Sequence, residues 1–177
     1  HMIVLFNKPF GVVCQFSKHE IHPTLKDYLN IPNIYPAGRL DTDSEGLLVL
    51  TDNGKIQHEI SSPNSHKYKG YWVQVEGDIE NEAIQKLQNG INLKDFTTLP
   101  ARVEKINEPE IWERSTPIRF RKNIPTSWVK IQIREGKNRQ VRKMTAAVGF
   151  PTLRLIRYHV DDYYLNKLRP GDYQIIK

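Results

Sequence analysis

Apolar residues come in short runs broken by Gly, Pro, Asn and Asp, some continuous and one, Tyr71–Glu76, alternating with period two. Ile3–Phe6 reads as a buried strand, Asn7-Lys8-Pro9-Phe10-Gly11 as a turn, and Val12–Phe16 as a second strand. Leu25–Leu29 is expected to be a short helix capped by Thr24, and Pro32, Pro36 and Gly38 keep Ile34–Leu40 extended. Gly46–Thr51 is an apolar strand, Asp52-Asn53-Gly54 a turn and Lys55–Ile60 a short helix. Tyr71–Glu76 alternates with period two and predicts a strand starting near Tyr68. Glu80–Gln88 predicts a helix with Ala83, Ile84 and Leu87 inward, stopped by Asn89-Gly90. Ala101–Ile106 and Trp128–Ile133 follow as strands. Asn138–Val148 predicts a helix with Asn138 as cap, Val141, Met144 and Val148 on one face, and Gly149 at its end. Thr152–Val160 and Tyr173–Ile176 complete the set. Many strands, tight turns and few short helices predict an α+β fold with a mixed, mostly antiparallel sheet.

At 177 residues the chain is expected to form one domain over 3–177, with His1-Met2 as a tag remnant and start methionine. No apolar run approaches the roughly 18–20 residues of a membrane span, and no secretory signal is visible. Cys14 is the one cysteine, which excludes an internal disulfide framework and fits a reducing cytoplasm. The histidines show no metal spacing. Net charge is +6, but Arg114 to Arg157 holds twelve Lys/Arg against one acid, Glu135. That asymmetry is the footprint of a polyanionic partner, nucleic acid before membrane, bound by a monomer.

The densest chemistry lies in Gly38-Arg39-Leu40-Asp41-Thr42-Asp43-Ser44-Glu45-Gly46. Its spacing matches the opening of a calcium loop, with Asp52 twelfth, yet the flanking prolines and strand replace the helices such a loop requires. An Asp nucleophile of phosphatase type follows a buried strand, whereas these acids precede one. A metal-dependent hydrolase using Asp41 and Asp43 therefore stands as an alternative. The metal-free reading makes Asp41 a nucleophile kept ionised by a nearby cation. Arg39 is close in sequence, and Arg139 and Arg142 share a face of the basic helix.

Four segments, in order, resemble the pseudouridine synthases, in their ribosomal-RNA branch: Asn7-Lys8-Pro9; Gly38–Asp41 with Ser44–Leu48; Lys69-Gly70-Tyr71-Trp72-Val73; and Glu135–Arg142 with Leu155-Ile156-Arg157. Thr98–Ala101 and Arg121–Trp128 point within that branch to large-subunit enzymes. The resemblance implies the pseudouridine synthase catalytic fold and isomerisation of one uridine in ribosomal RNA, the 23S molecule, without metal or cofactor. It implies Asp41 as nucleophile, Arg142 as its ion partner, and Tyr71 as the ring on the uracil and base for the carbon 5 proton. Arg39 would fill the space left by the flipped nucleotide. Lys8, Leu40, Lys69, Arg139, Leu155 and Arg157 are expected around substrate. The branch often carries a helical RNA-binding module ahead of the catalytic domain. With the first strand at Ile3, RNA capture is expected to fall to Arg119, Arg121 and Lys122 in the Arg114–Lys122 segment. A non-catalytic RNA-binding module of the same fold is the other alternative.

Overall fold

The computed structural model describes residues 1–119, 121 and 123–176. In chain order its elements are β1 (Ile3–Lys8), β2 (Tyr35–Pro36), β3 (Glu45–Thr51), α1 (Gly54–Ser61), β4 (Lys69–Glu76), α2 (Asn81–Asn89), β5 (Arg102–Ile106), β6 (Thr126–Ile133), α3 (Gln140–Ala147), β7 (Thr152–Val160), β8 (Tyr163–Tyr164) and β9 (Tyr173–Ile176). The fold is α+β, and every strand pair given below is antiparallel except β3 with β7. Two compact units emerge: His1–Ser65 with Ile156–Lys177, and His66–Leu155. None of the described helices is long and apolar enough to cross a membrane.

In the first unit β3 lies between β1 and the end of β7, β9 pairs with β1, and β2 and β8 add to β3 and β7. Every residue of β1 and β3 is buried. That explains why these strands read as continuous apolar runs, since both faces are covered. Val4, Phe6, Leu48 and Leu50 pack with Val12, Leu25, Leu29 and Leu40 in one core. Burying each such side chain stabilises the unit by about 1.5–3 kcal/mol.

The second unit carries β5, β6 and β4 in that order. Its alternation sends Tyr71, Val73 and Val75 of β4 and Val129, Ile131 and Ile133 of β6 into a core shared with Ala83, Ile84 and Leu87 of α2 and Val141 and Met144 of α3. Gly90 ends α2 at φ +95, a conformation that suits glycine.

Three local expectations need correction. Val12–Phe16 is not a strand: Val13 N–H donates to Pro23 O at 2.9 Å and Gln15 N–H to Val13 O at 2.8 Å, leaving one isolated bridge to Thr24. Thr24 does cap, through a reciprocal capping box with Asp27, but the helix is a single 3-10 turn over Leu25–Asp27. Asn138 does not cap α3, which begins at Gln140 after Arg139 in a left-handed conformation at φ 53. Polar ties replace the cap. Gln140 accepts from Lys137 N–H at 3.2 Å and donates to Glu135 Oε2 at 3.0 Å, and the same carboxylate oxygen accepts from Leu99 N–H at 2.7 Å.

Candidate active site

Asp41 is half-buried and opens a tight turn closed by Ser44 N–H donating to Asp41 O at 3.0 Å. Two buried cations hold the backbone on either side of it. Arg157, 4 % exposed, donates through Nη1 to Arg39 O at 3.2 Å and through Nε to Leu47 O at 2.9 Å. Lys8, fully buried, donates through Nζ to Val12 O at 2.8 Å, Pro9 O at 2.9 Å and, more loosely, Thr42 O at 3.4 Å. Gly11 N–H adds a 2.8 Å bond to Thr42 O. Gly46, paired with Arg157, permits the close approach: at φ +108, a Cβ there would lie 2.2 Å from Arg157 O. The turn is therefore rigid, and the loop's acid is presented from a pinned backbone rather than from a solvated one.

Burial pushes the Lys8 ammonium down to about 8, opposed by attraction to Cys14, Glu45, Asp43 and Asp41. A cation desolvated this far is costly, and the surrounding acids are what keep it charged near neutrality. Conversely it places a fixed positive charge within electrostatic reach of Asp41.

In the second unit Tyr71 lies on the core face of β4, 8 % exposed, in the same cluster as Val141 and Met144 of α3 and Leu155 of β7. Arg142 is half-buried on the first turn of α3, while Arg139 just before it is exposed. Lys69 lies against the loop ahead of α3: a Cβ on Gly136 would meet its Nζ at 2.9 Å. The Glu135–Gln140 pair described above fixes that loop. Sequence reasoning assigned neither residue a role; the only signal was their place inside the motif.

The residues expected around substrate differ in burial. Lys8 and Arg157 are buried with their donors on backbone carbonyls. There they hold the backbone of the Asp41 turn. Leu40 and Leu155 are buried packing residues, 5 % and 6 % exposed. Arg39 is exposed beside Asp41, and Arg119 and Arg121 are exposed, Arg121 3.4 Å from Glu76. Lys122 lies outside the described residues. Among the described residues no three His, Cys, Asp or Glu side chains group as a metal-ion site. Asp52, the twelfth position of the calcium-loop reading, instead accepts from Met2 N–H at 2.9 Å.

Comparison with known proteins shows which family the chain belongs to. The RNA pseudouridylate synthase family matches residues 2–147. The chain is 51 % identical over 175 residues to "Ribosomal large subunit pseudouridine synthase E" of Vibrio parahaemolyticus, covering 99 % of this chain and 74 % of that protein. A protein of the same name from Xanthomonas axonopodis pv. citri is 50 % identical over 172 residues, covering 96 % and 90 %. "Ribosomal small subunit pseudouridine synthase A" of Escherichia coli is 33 % identical, covering 96 % and 68 %. Among solved structures, a "pseudouridylate synthase" matches with TM-score 0.81 at 30 % identity, over 99 % of this chain and 70 % of that one. With 146 of its residues inside the family match and half its residues shared with named relatives, the chain belongs to the RNA pseudouridylate synthases.

Proposed function

We propose that this chain isomerises one uridine of large-subunit ribosomal RNA, the 23S molecule, to pseudouridine, acting as a cytoplasmic monomer through a single catalytic domain over 3–177. The observation that carries the reading is the pinned Asp41 turn, with buried Lys8 and Arg157 bonded to the backbone on either side of the acid. The relatives' names support the RNA class.

Asp41 acts as the nucleophile that lets the uracil leave its ribose, turn and rejoin through carbon 5. One N1–C1′ bond breaks and one C5–C1′ bond forms, while the carbon 5 proton leaves and N1 gains one. The reaction balances with no cofactor or co-substrate. Tyr71 stacks on the uracil and takes the carbon 5 proton, Arg142 keeps the nucleophile ionised, and Arg39 fills the space left by the flipped nucleotide.

The test is pseudouridine mapping on a large-subunit rRNA transcript treated with wild type and with Asp41→Asn. The variant should keep its fold and bind RNA, yet form no pseudouridine. Turnover near wild type would remove Asp41 from the chemistry.

A further inference from the structure

The Tyr71 face is only one side of the β4–β6 pair. Register sets Gln74 opposite Trp128, and strand alternation turns both away from Tyr71, Val73 and Val75. On that far face, side chains from the segment joining β5 to β6 help line a cavity of about 370 Å³. Its lining includes Gln74, Trp112, Trp128, Glu108, Arg114 and Arg154.

The walls are fixed by direct bonds. Arg154, 7 % exposed, donates through Nη2 to Trp112 O at 2.9 Å, with its guanidinium 6.0 Å from the Trp112 ring centre. Arg114 reaches Pro117 O at 3.1 Å and Leu153 O at 3.4 Å. The Trp128 indole donates to Glu108 Oε1 at 3.3 Å, and Gln74 Nε2 to Thr126 Oγ1 at 3.1 Å. These ties hold Trp112, a residue of an irregular segment, at a defined place.

The chemistry selects the ligand. Two guanidiniums face two carboxylates, Glu108 and Glu113, so the cavity has no net charge and is a poor phosphate site. Four charged side chains and an amide equally disfavour a purely apolar guest. A nucleobase is neutral and flat, has a π-face for indole, and carries donors and acceptors on its edge for Gln, Glu and Arg. The volume lies at the low end for ligand pockets, the scale of one nucleoside and too small for a helical segment. The phosphates of the same strand then meet Arg119 and Arg121, exposed in the joining segment.

We propose that this cavity receives one unpaired base of the substrate RNA, distinct from the uridine being isomerised, and sets the register of the strand. The proposal rests on the RNA-modifying function above. Binding is therefore measured in the Asp41→Asn background, so turnover plays no part, using an in vitro transcript of large-subunit ribosomal RNA. Trp112→Ala should raise Kd about tenfold, the usual loss for one base–aromatic stack. Trp112→Phe keeps a ring and should stay within about threefold of the parent. Gln74→Leu, which keeps the volume, should raise Kd by several-fold. A Trp112→Ala affinity within twofold of the parent overturns the proposal, as would equal losses for Ala and Phe. Failure of the wild type to form pseudouridine in the same transcript counts against the functional reading and leaves this comparison standing.

Discussion

Lys8→Met removes the buried charge beside the Asp41 turn while keeping an unbranched side chain of similar length. Burial lowers the ammonium from 10.5 to about 8, so carrying the proton in the folded state costs about 3 kcal/mol at neutral pH. Against that, the variant strands the carbonyls of Pro9 and Val12, now bonded at 2.9 and 2.8 Å, at about 1–3 kcal/mol each. The two effects nearly offset, so the diagnostic is the pH slope and not the gap at one pH. Between the folded and unfolded values, pH 8 to 10.5, the unfolded chain binds more protons than the folded one. Stability contributed through Lys8 therefore rises with pH across that window. Relative to Lys8→Met, the wild type should gain about 1 kcal/mol from pH 7 to 9 and roughly 2–3 kcal/mol by pH 10. Urea unfolding of both proteins at the three pH values measures the difference, in which titrations common to both cancel. Parallel stability curves would show that Lys8 is not the desolvated cation its burial implies.

Further outcomes follow from the same geometry. Tyr71→Phe keeps the ring that packs with Val141 and Leu155, so stability should change by less than about 1.5 kcal/mol while pseudouridine formation falls sharply; undiminished turnover would exclude the hydroxyl from proton transfer. Arg119→Ala with Arg121→Ala should weaken RNA binding and reduce the salt slope by up to roughly 1.5. The Glu76 carboxylate 3.4 Å from Arg121 limits its share, and an unchanged slope would place the phosphate strip elsewhere. Gly46→Ala drives a methyl into Arg157 O from a φ of +108, which should cost roughly 2–5 kcal/mol and lower Tm by about 5–15 °C. A thermal melt within 2 °C of wild type would contradict the close approach.

The elements were legible where burial imposes a period. β4 alternates because one face meets α2 and α3, β3 is apolar throughout because both faces are covered, and β7 and β9 fall where their residues predicted. Legibility failed where a side chain from elsewhere settles the backbone. Val12–Phe16 has strand composition, but its amides are taken within a loop closed onto Pro23. Asn138 has the residue type of a cap, but Glu135 and Gln140 satisfy the loop first, and Arg139 takes the left-handed position.

The site shows the same division more sharply. The family resemblance marked Asp41, Tyr71 and Arg142 as candidates, because it matches residue type and neighbours along the chain. It left the surroundings of Lys8 and Arg157 open, since a cation printed in a sequence carries no sign of whether it faces a phosphate or a carbonyl. A buried Lys or Arg is disfavoured unless its donors are met, and here backbone carbonyls of Pro9, Val12, Arg39 and Leu47 meet them. Those carbonyls come from segments up to 118 positions away along the chain, a relation no local window contains. Both cations act on the acid through its backbone, so replacing either should loosen the turn before it touches RNA affinity. Lys8→Met and Arg119→Ala thus make opposite demands on one pair of measurements: the first should alter the pH slope of stability and spare the salt slope of binding, the second the reverse.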